Sequence, residues 1–142
     1  MKARAIGYWV ATGLVALSLI LSGAGEVVRL PQNITAFAQL GYPVYFMVLL
    51  GVWKVLGGIA ILAPRFPRLK EWAYAGIFID FTSASVSHAA SGEELWRAIV
   101  PVVFVAILFA SWALRPQSRT LGVLFPAGSE QAPAPSLGAA NP

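Results

Sequence analysis

The sequence predicts an all-α integral membrane protein: an antiparallel four-helix bundle with both termini cytoplasmic and a short amphipathic helix on the outer surface between the first and second spans. Three observations predict it. Hydrophobic residues make up 58% of the chain and charged residues only 11%, against about 25% charged in ordinary soluble domains. Four apolar runs, residues 5–25, 44–63, 72–90 and 95–114, reach the ~20 residues that a helix needs to cross a bilayer core. With four spans, seven of the ten basic residues (Lys2, Arg4, Arg65, Arg68, Lys70, Arg115 and Arg119) fall on the side of the termini. The positive-inside rule makes that side cytoplasmic.

The first run carries no charge. Lys2 and Arg4 before it, and Ser22-Gly23-Ala24 at its end, have the look of a signal peptide with a cleavage site. The run is longer than a signal core, and Tyr8-Trp9 sit where an interfacial anchor belongs, so a retained helix is expected. Residues 26–43 form the longer outer connection, in which Ile34, Phe37 and Ala38 at helical spacing predict the amphipathic helix. The second run holds Lys54. The proline-punctuated connection at 64–70 then predicts a tight antiparallel hairpin with the third run, which holds Asp80 and His88. Ser91 and Glu94 have capping-box spacing at the start of the fourth run, and Pro101 removes one bond of that helix. A transmembrane domain over 1–115 is thus followed by a Pro/Ala/Gly/Ser-rich stretch, 116–142, expected to be a disordered cytoplasmic tail. Aromatic belts support these registers: Tyr8, Trp9, Trp72, Tyr74 and Trp112 at the inner boundary, Tyr42, Tyr45 and Trp96 at the outer one. Trp53 departs from them, lying mid-span.

Composition also narrows the chemistry. With no cysteine and a single histidine, one chain has no thiolates for an iron–sulfur cluster or thiolate zinc site, and no second histidine for bis-histidine haem. The net charge of +4 reflects topology rather than nucleic-acid binding, because no basic face is interleaved with aromatics. Function is therefore sought in the polar groups within the apolar runs. Lys54 lies about 15 Å from the inner boundary and Asp80 about 13 Å, by helical rise. Opposite charges at one depth on adjacent helices predict an interhelical pair, since each alone is costly in hydrocarbon. Gly51 and Gly58 share the Lys54 face, which predicts that this face packs inward. On the third run Asp80, Ser83, Ser87, His88 and Ser91 form a polar stripe, and Glu26 reaches the height of His88 near the outer mouth. The candidate ligand-binding residues are Lys54, Asp80, Trp53, His88, Ser83, Ser87 and Glu26. Plainer roles stand beside these: a structural pin for Lys54 and Asp80, interfacial solvation for His88 and Glu26, and bonds to the preceding turn for Ser83 and Ser85.

Four strings carry a family resemblance: LGYP at 40–43, GVWKVLGGIAIL at 51–62, PRFPRLKEWAYAG at 64–76 and ASVSHAASG at 84–92. Through them the chain resembles the DoxX-like family of small bacterial membrane proteins over roughly residues 6–114. The resemblance implies a four-helix bundle, and an association with quinone-linked sulfur oxidation and with membrane assemblies handling redox stress. It carries over Lys54, Asp80 and His88, whereas Glu26 stands where relatives often have uncharged hydrophobic residues.

The leading functional expectation is an accessory or binding component of a quinone-linked membrane redox system, with no catalytic motif of its own. Its partners would be the bilayer, a lipophilic molecule such as a quinone, and a redox protein. In that reading Lys54 donates to a carbonyl, Asp80 sets the lysine's protonation and Trp53 stacks. Three alternatives stand beside it. One is a small transporter or proton-conducting homodimer using the Asp80–His88 stripe, and another a purely structural scaffold. The last is a lipid-modifying enzyme, which the spacing of Asp80 and His88, about 12 Å along the helix, disfavours.

Overall fold

The computed structural model describes residues 1–120, which are helical throughout apart from their connections. Helix α1 spans Lys2–Val27, α2 Pro31–Gln39, α3 Val44–Leu62, α4 Pro67–Ala90 and α5 Leu95–Ala113, and a 3-10 turn follows at Gln117–Arg119. The four long helices fall on the four apolar runs, and α2 is the short helix expected between the first two.

Local chemistry sets the boundaries. Gly41 at φ +80° and Gly92 at φ +68° close α2 and α4 in the left-handed conformation that costs glycine nothing. Each ending has paired Schellman bonds: Gly41 N–H to Ala38 O and Tyr42 N–H to Phe37 O at 3.0 and 2.9 Å, and Gly92 N–H to Ala89 O and Glu93 N–H to His88 O, both at 3.3 Å. This corrects the expected capping box. Ser91 caps the end of α4, and Glu94 precedes α5 without a side-chain cap bond. Its carboxylate instead accepts from the Trp96 indole N–H. Pro31 and Pro67 open α2 and α4, where a missing N–H is harmless. The end of α3 is capped from a distance. The Lys70 ammonium, wholly buried, donates to the carbonyls of Ala60 (3.0 Å), Ile61 (2.9 Å) and Ala63, where the helix dipole favours a cation.

Helix α1 packs most extensively on α3 and also on α5; α4 packs on α5 and more loosely on α3. The hairpin expected to be tight therefore has a short connection but splayed helices. Val15, Ala16 and Leu19 of α1, Ile61 of α3, Tyr74 and Ile77 of α4 and Leu108 of α5 form the core. Polar groups are buried beside it. Ser111 Oγ lies 2.7 Å from both Thr12 Oγ1 and the Tyr74 hydroxyl, and Arg115 pairs with Glu71 at 2.6 Å. The outside is apolar: Leu14, Leu17 and Leu21, Leu56 and Ile59, Val102 and Phe109 are all exposed. So large an apolar exterior over a partly polar interior suits hydrocarbon rather than water. Helices α1, α3 and α5 are long and apolar enough to cross a membrane. Helix α4 has the length, 24 residues, but Asp80, His88 and its hydroxyl residues lower its apolarity.

Both described ends of the chain lie together. Arg4 donates to Ala113 O at 3.2 Å, and Arg119 donates to the Tyr8 hydroxyl and to Leu62 O, each at 3.3 Å. The first residues of the expected tail are thus tied to α1 and α3, and residues 121–142 lie outside the described residues.

Candidate ligand site

Helices α1 and α3 cross antiparallel where both carry glycine. A Cβ on Gly23 would stand 2.6 Å from Gly51 O, and one on Gly51 would stand 2.7 Å from Gly23 O. Only hydrogen fits, so the backbones touch. Three residues beyond each glycine stands a charge: Glu26 after Gly23, Lys54 after Gly51. An i, i+3 step keeps each on the contact face, and Lys54 Nζ meets Glu26 Oε1 at 2.6 Å. Glu26 is only 4% exposed, and its Oε2 has no hydrogen-bond partner among the described residues.

This corrects the sequence-based pairing. Lys54 faces inward beside small residues, as expected, but its partner is Glu26 on α1, not Asp80 on α4, and Glu26 is buried rather than solvated at the outer mouth. The cause is the Gly23–Gly51 contact, which brings α1 closer to α3 than α4 comes. The paired spacings Gly-x-x-Glu and Gly-x-x-Lys were the signal in the sequence.

Asp80 occupies the other side of Lys54. Both line a cleft of about 410 Å3 between α3 and α4, within the range of small-molecule sites. Among the described residues Asp80 makes no side-chain hydrogen bond or ion pair. The floor of the cleft is small, Gly57 and Ala60 from α3 and Ala73 and Gly76 from α4. Trp53 and Trp72, 64% and 81% exposed, stand at its mouth. Each tryptophan lies four residues before a cleft glycine, Gly57 and Gly76, so ring and gap share a helix face. Because the two tryptophans at its mouth are exposed, the cleft opens sideways, toward whatever surrounds the helices. The sequence reading placed Trp72 in the inner aromatic belt and gave the four small residues no role.

The remaining candidates lie elsewhere. His88 Nδ1 pairs with Glu93, which also meets Arg97 at 3.7 Å. Ser87 Oγ lies 2.8 Å from the Tyr42 hydroxyl, and Ser83 is exposed. None of the three lines the cleft. Ser85, expected to bond to its own preceding turn, instead donates to Ala98 O on α5 at 2.7 Å, beside the turn that Pro101 loosens. The structure thus brings together Glu26, Lys54, Trp53 and Asp80, and leaves His88, Ser83 and Ser87 apart from them.

The arrangement offers an apolar slot with an ammonium and a carboxyl at one end and two indole rings at its entrance. It suits an amphiphile entering laterally. The model of the DoxX-like family matches residues 10–111, a stretch that contains the whole cleft. No curated protein and no solved structure is significantly similar to the chain.

Proposed function

The chain belongs to the DoxX-like family and is an all-helical, multi-pass membrane protein; from that premise we propose an accessory, ligand-binding component of a quinone-linked redox system in the bacterial cytoplasmic membrane. One observation carries the reading: the sideways cleft that joins Trp53 and Trp72 to Lys54 and Asp80. A quinone ring slides from the bilayer between the indoles, its tail stays in lipid, and a carbonyl accepts a hydrogen bond from the polar end. Electrons come from a redox partner protein.

The test is a titration of short-chain quinone against tryptophan fluorescence, with the protein in nanodiscs. Quenching is expected to saturate and to lose a large part of its amplitude in Trp53→Phe. Asp80→Leu should weaken binding about tenfold, the equivalent of one hydrogen bond to the ligand. Quenching that rises linearly, as in empty nanodiscs spiked with free tryptophan, would remove the quinone.

In this reading α4 also crosses the membrane and makes the spans four, so both termini are cytoplasmic and α2 lies outside. The absence of native cysteine makes the topology directly testable with single replacements labelled in whole cells. A membrane-impermeant maleimide is expected to reach Gln32→Cys and Ser91→Cys but not Ser118→Cys. Labelling of Ser118→Cys together with Gln32→Cys would leave three spans.

A further inference from the structure

We infer that the cleft also takes up a lipophilic cation in exchange for one proton at Asp80. The inference rests on the cleft being a ligand site and adds a second ligand class to it.

It starts from a count of charges. Glu26 and Asp80 are two carboxyls facing one ammonium, and Lys54 is committed to Glu26 at 2.6 Å. Few other ionisable groups stand near Asp80. Helix α2 has none, α5 has none between Arg97 and Arg115, and α1 has none between Tyr8 and Glu26. On α3 only Tyr45 accompanies Lys54, and on α4 itself the nearest are Tyr74 and His88, about 9 and 12 Å along the axis. With all three charged, the trio would hold an uncompensated negative charge amid apolar residues, which hydrocarbon strongly penalises. A proton on Asp80 cancels it. A ligand cation beside Asp80 cancels it equally well, and the proton then leaves to water. The exchange balances: cation plus carboxylic acid gives a cation–carboxylate pair plus one proton.

The walls determine which cation. Alanine, glycine and leucine offer nothing to a hydrated inorganic ion, and no acidic or histidine cluster among the described residues could hold a metal. Two exposed indoles at the mouth offer cation–π faces, strongest where water is excluded. An organic cation wrapped in apolar groups satisfies both requirements.

Tetraphenylphosphonium is the probe, because its charge is permanent and it carries no titrating proton. It is titrated calorimetrically into the protein in neutral-lipid nanodiscs, with empty nanodiscs as blank, between pH 6 and 8.5. Two buffers of different ionisation enthalpy report protons released. The expected result is saturable binding, one proton released per cation, and affinity rising about tenfold per pH unit wherever Asp80 still carries its proton. Asp80→Asn should keep its thermal melt, lose the proton release and bind at least tenfold more weakly with a flat pH profile. Short-chain quinone, titrated in parallel, should bind without proton release. Cation binding with no proton released, or unchanged by Asp80→Asn, overturns the inference. Quinone bound but cation refused overturns it and leaves the cleft standing as a ligand site; neither bound overturns both.

Discussion

Valine at position 51 is expected to separate α1 from α3 and to be among the costliest single changes at the crossing. A Cβ there would lie 2.7 Å from Gly23 O and 2.8 Å from Glu26 Cβ. These are atoms fixed by the backbone, so no side-chain rotation relieves the clash, and the helices must move apart. Ordinary overpacking costs about 1–3 kcal/mol. Here the displaced contact is the most extensive in the fold, and close packing is what holds helices together where apolar surroundings supply no hydrophobic drive. A loss of at least about 3 kcal/mol is therefore expected, together with a broken Lys54–Glu26 pair. The control is Gly13→Ala, where an added Cβ meets nothing within 4 Å. That change should be neutral or stabilise by about 0.5–1 kcal/mol through helix propensity. Thermal unfolding in detergent distinguishes the two, and a Gly51→Val protein melting with wild type would show that the backbones do not touch.

The same crossing marks the limit of what the sequence reveals. Apolar length located the four long helices within a few residues, because span length depends only on local composition, and Ile34, Phe37 and Ala38 located α2. The inward face of Lys54 was legible for the same reason: Gly51 and Gly58 are its neighbours on one helix. Its partner was not, because partner choice depends on which helix comes closest. Proximity in sequence favoured α4, since a short connection joins it to α3. Close approach is decided instead by Gly23, one residue in a run of small ones whose consequence appears only when set against Gly51. The cleft was hidden for the complementary reason. It exists because α3 and α4 fail to pack closely along Gly57, Ala60, Ala73 and Gly76, and small residues read equally well as contact or as gap. The stripe on α4 shows the converse error. Shared periodicity put Ser83, Ser87 and His88 on one side of the helix, but Tyr42 and Glu93 engage two of them and Ser83 faces out.

Lys54→Leu should be among the most damaging changes outside the glycines, and its rescue identifies the partner. Removing the ammonium leaves Glu26 buried with neither oxygen paired, and breaking a buried ion pair in this way costs about 3–5 kcal/mol. Glu26→Leu alone should be milder, because Lys54 also borders the cleft and can turn toward Asp80. Changing Lys54 and Glu26 together to leucine removes the stranded charge, so most of the loss should return, leaving a deficit of about 1 kcal/mol or less. The coupling from that double-mutant cycle is then large and of compensating sign. Asp80→Leu should leave stability unchanged or raise it, since it removes a carboxyl with no bonded partner, and should rescue little when added to Lys54→Leu. Equilibrium unfolding of wild type and these five variants in one detergent gives every term. Rescue by Asp80→Leu but not by Glu26→Leu would return the lysine to α4 as the partner of Asp80. The two carboxyls thus separate by role: one holds α1 against α3, and the other faces the cleft.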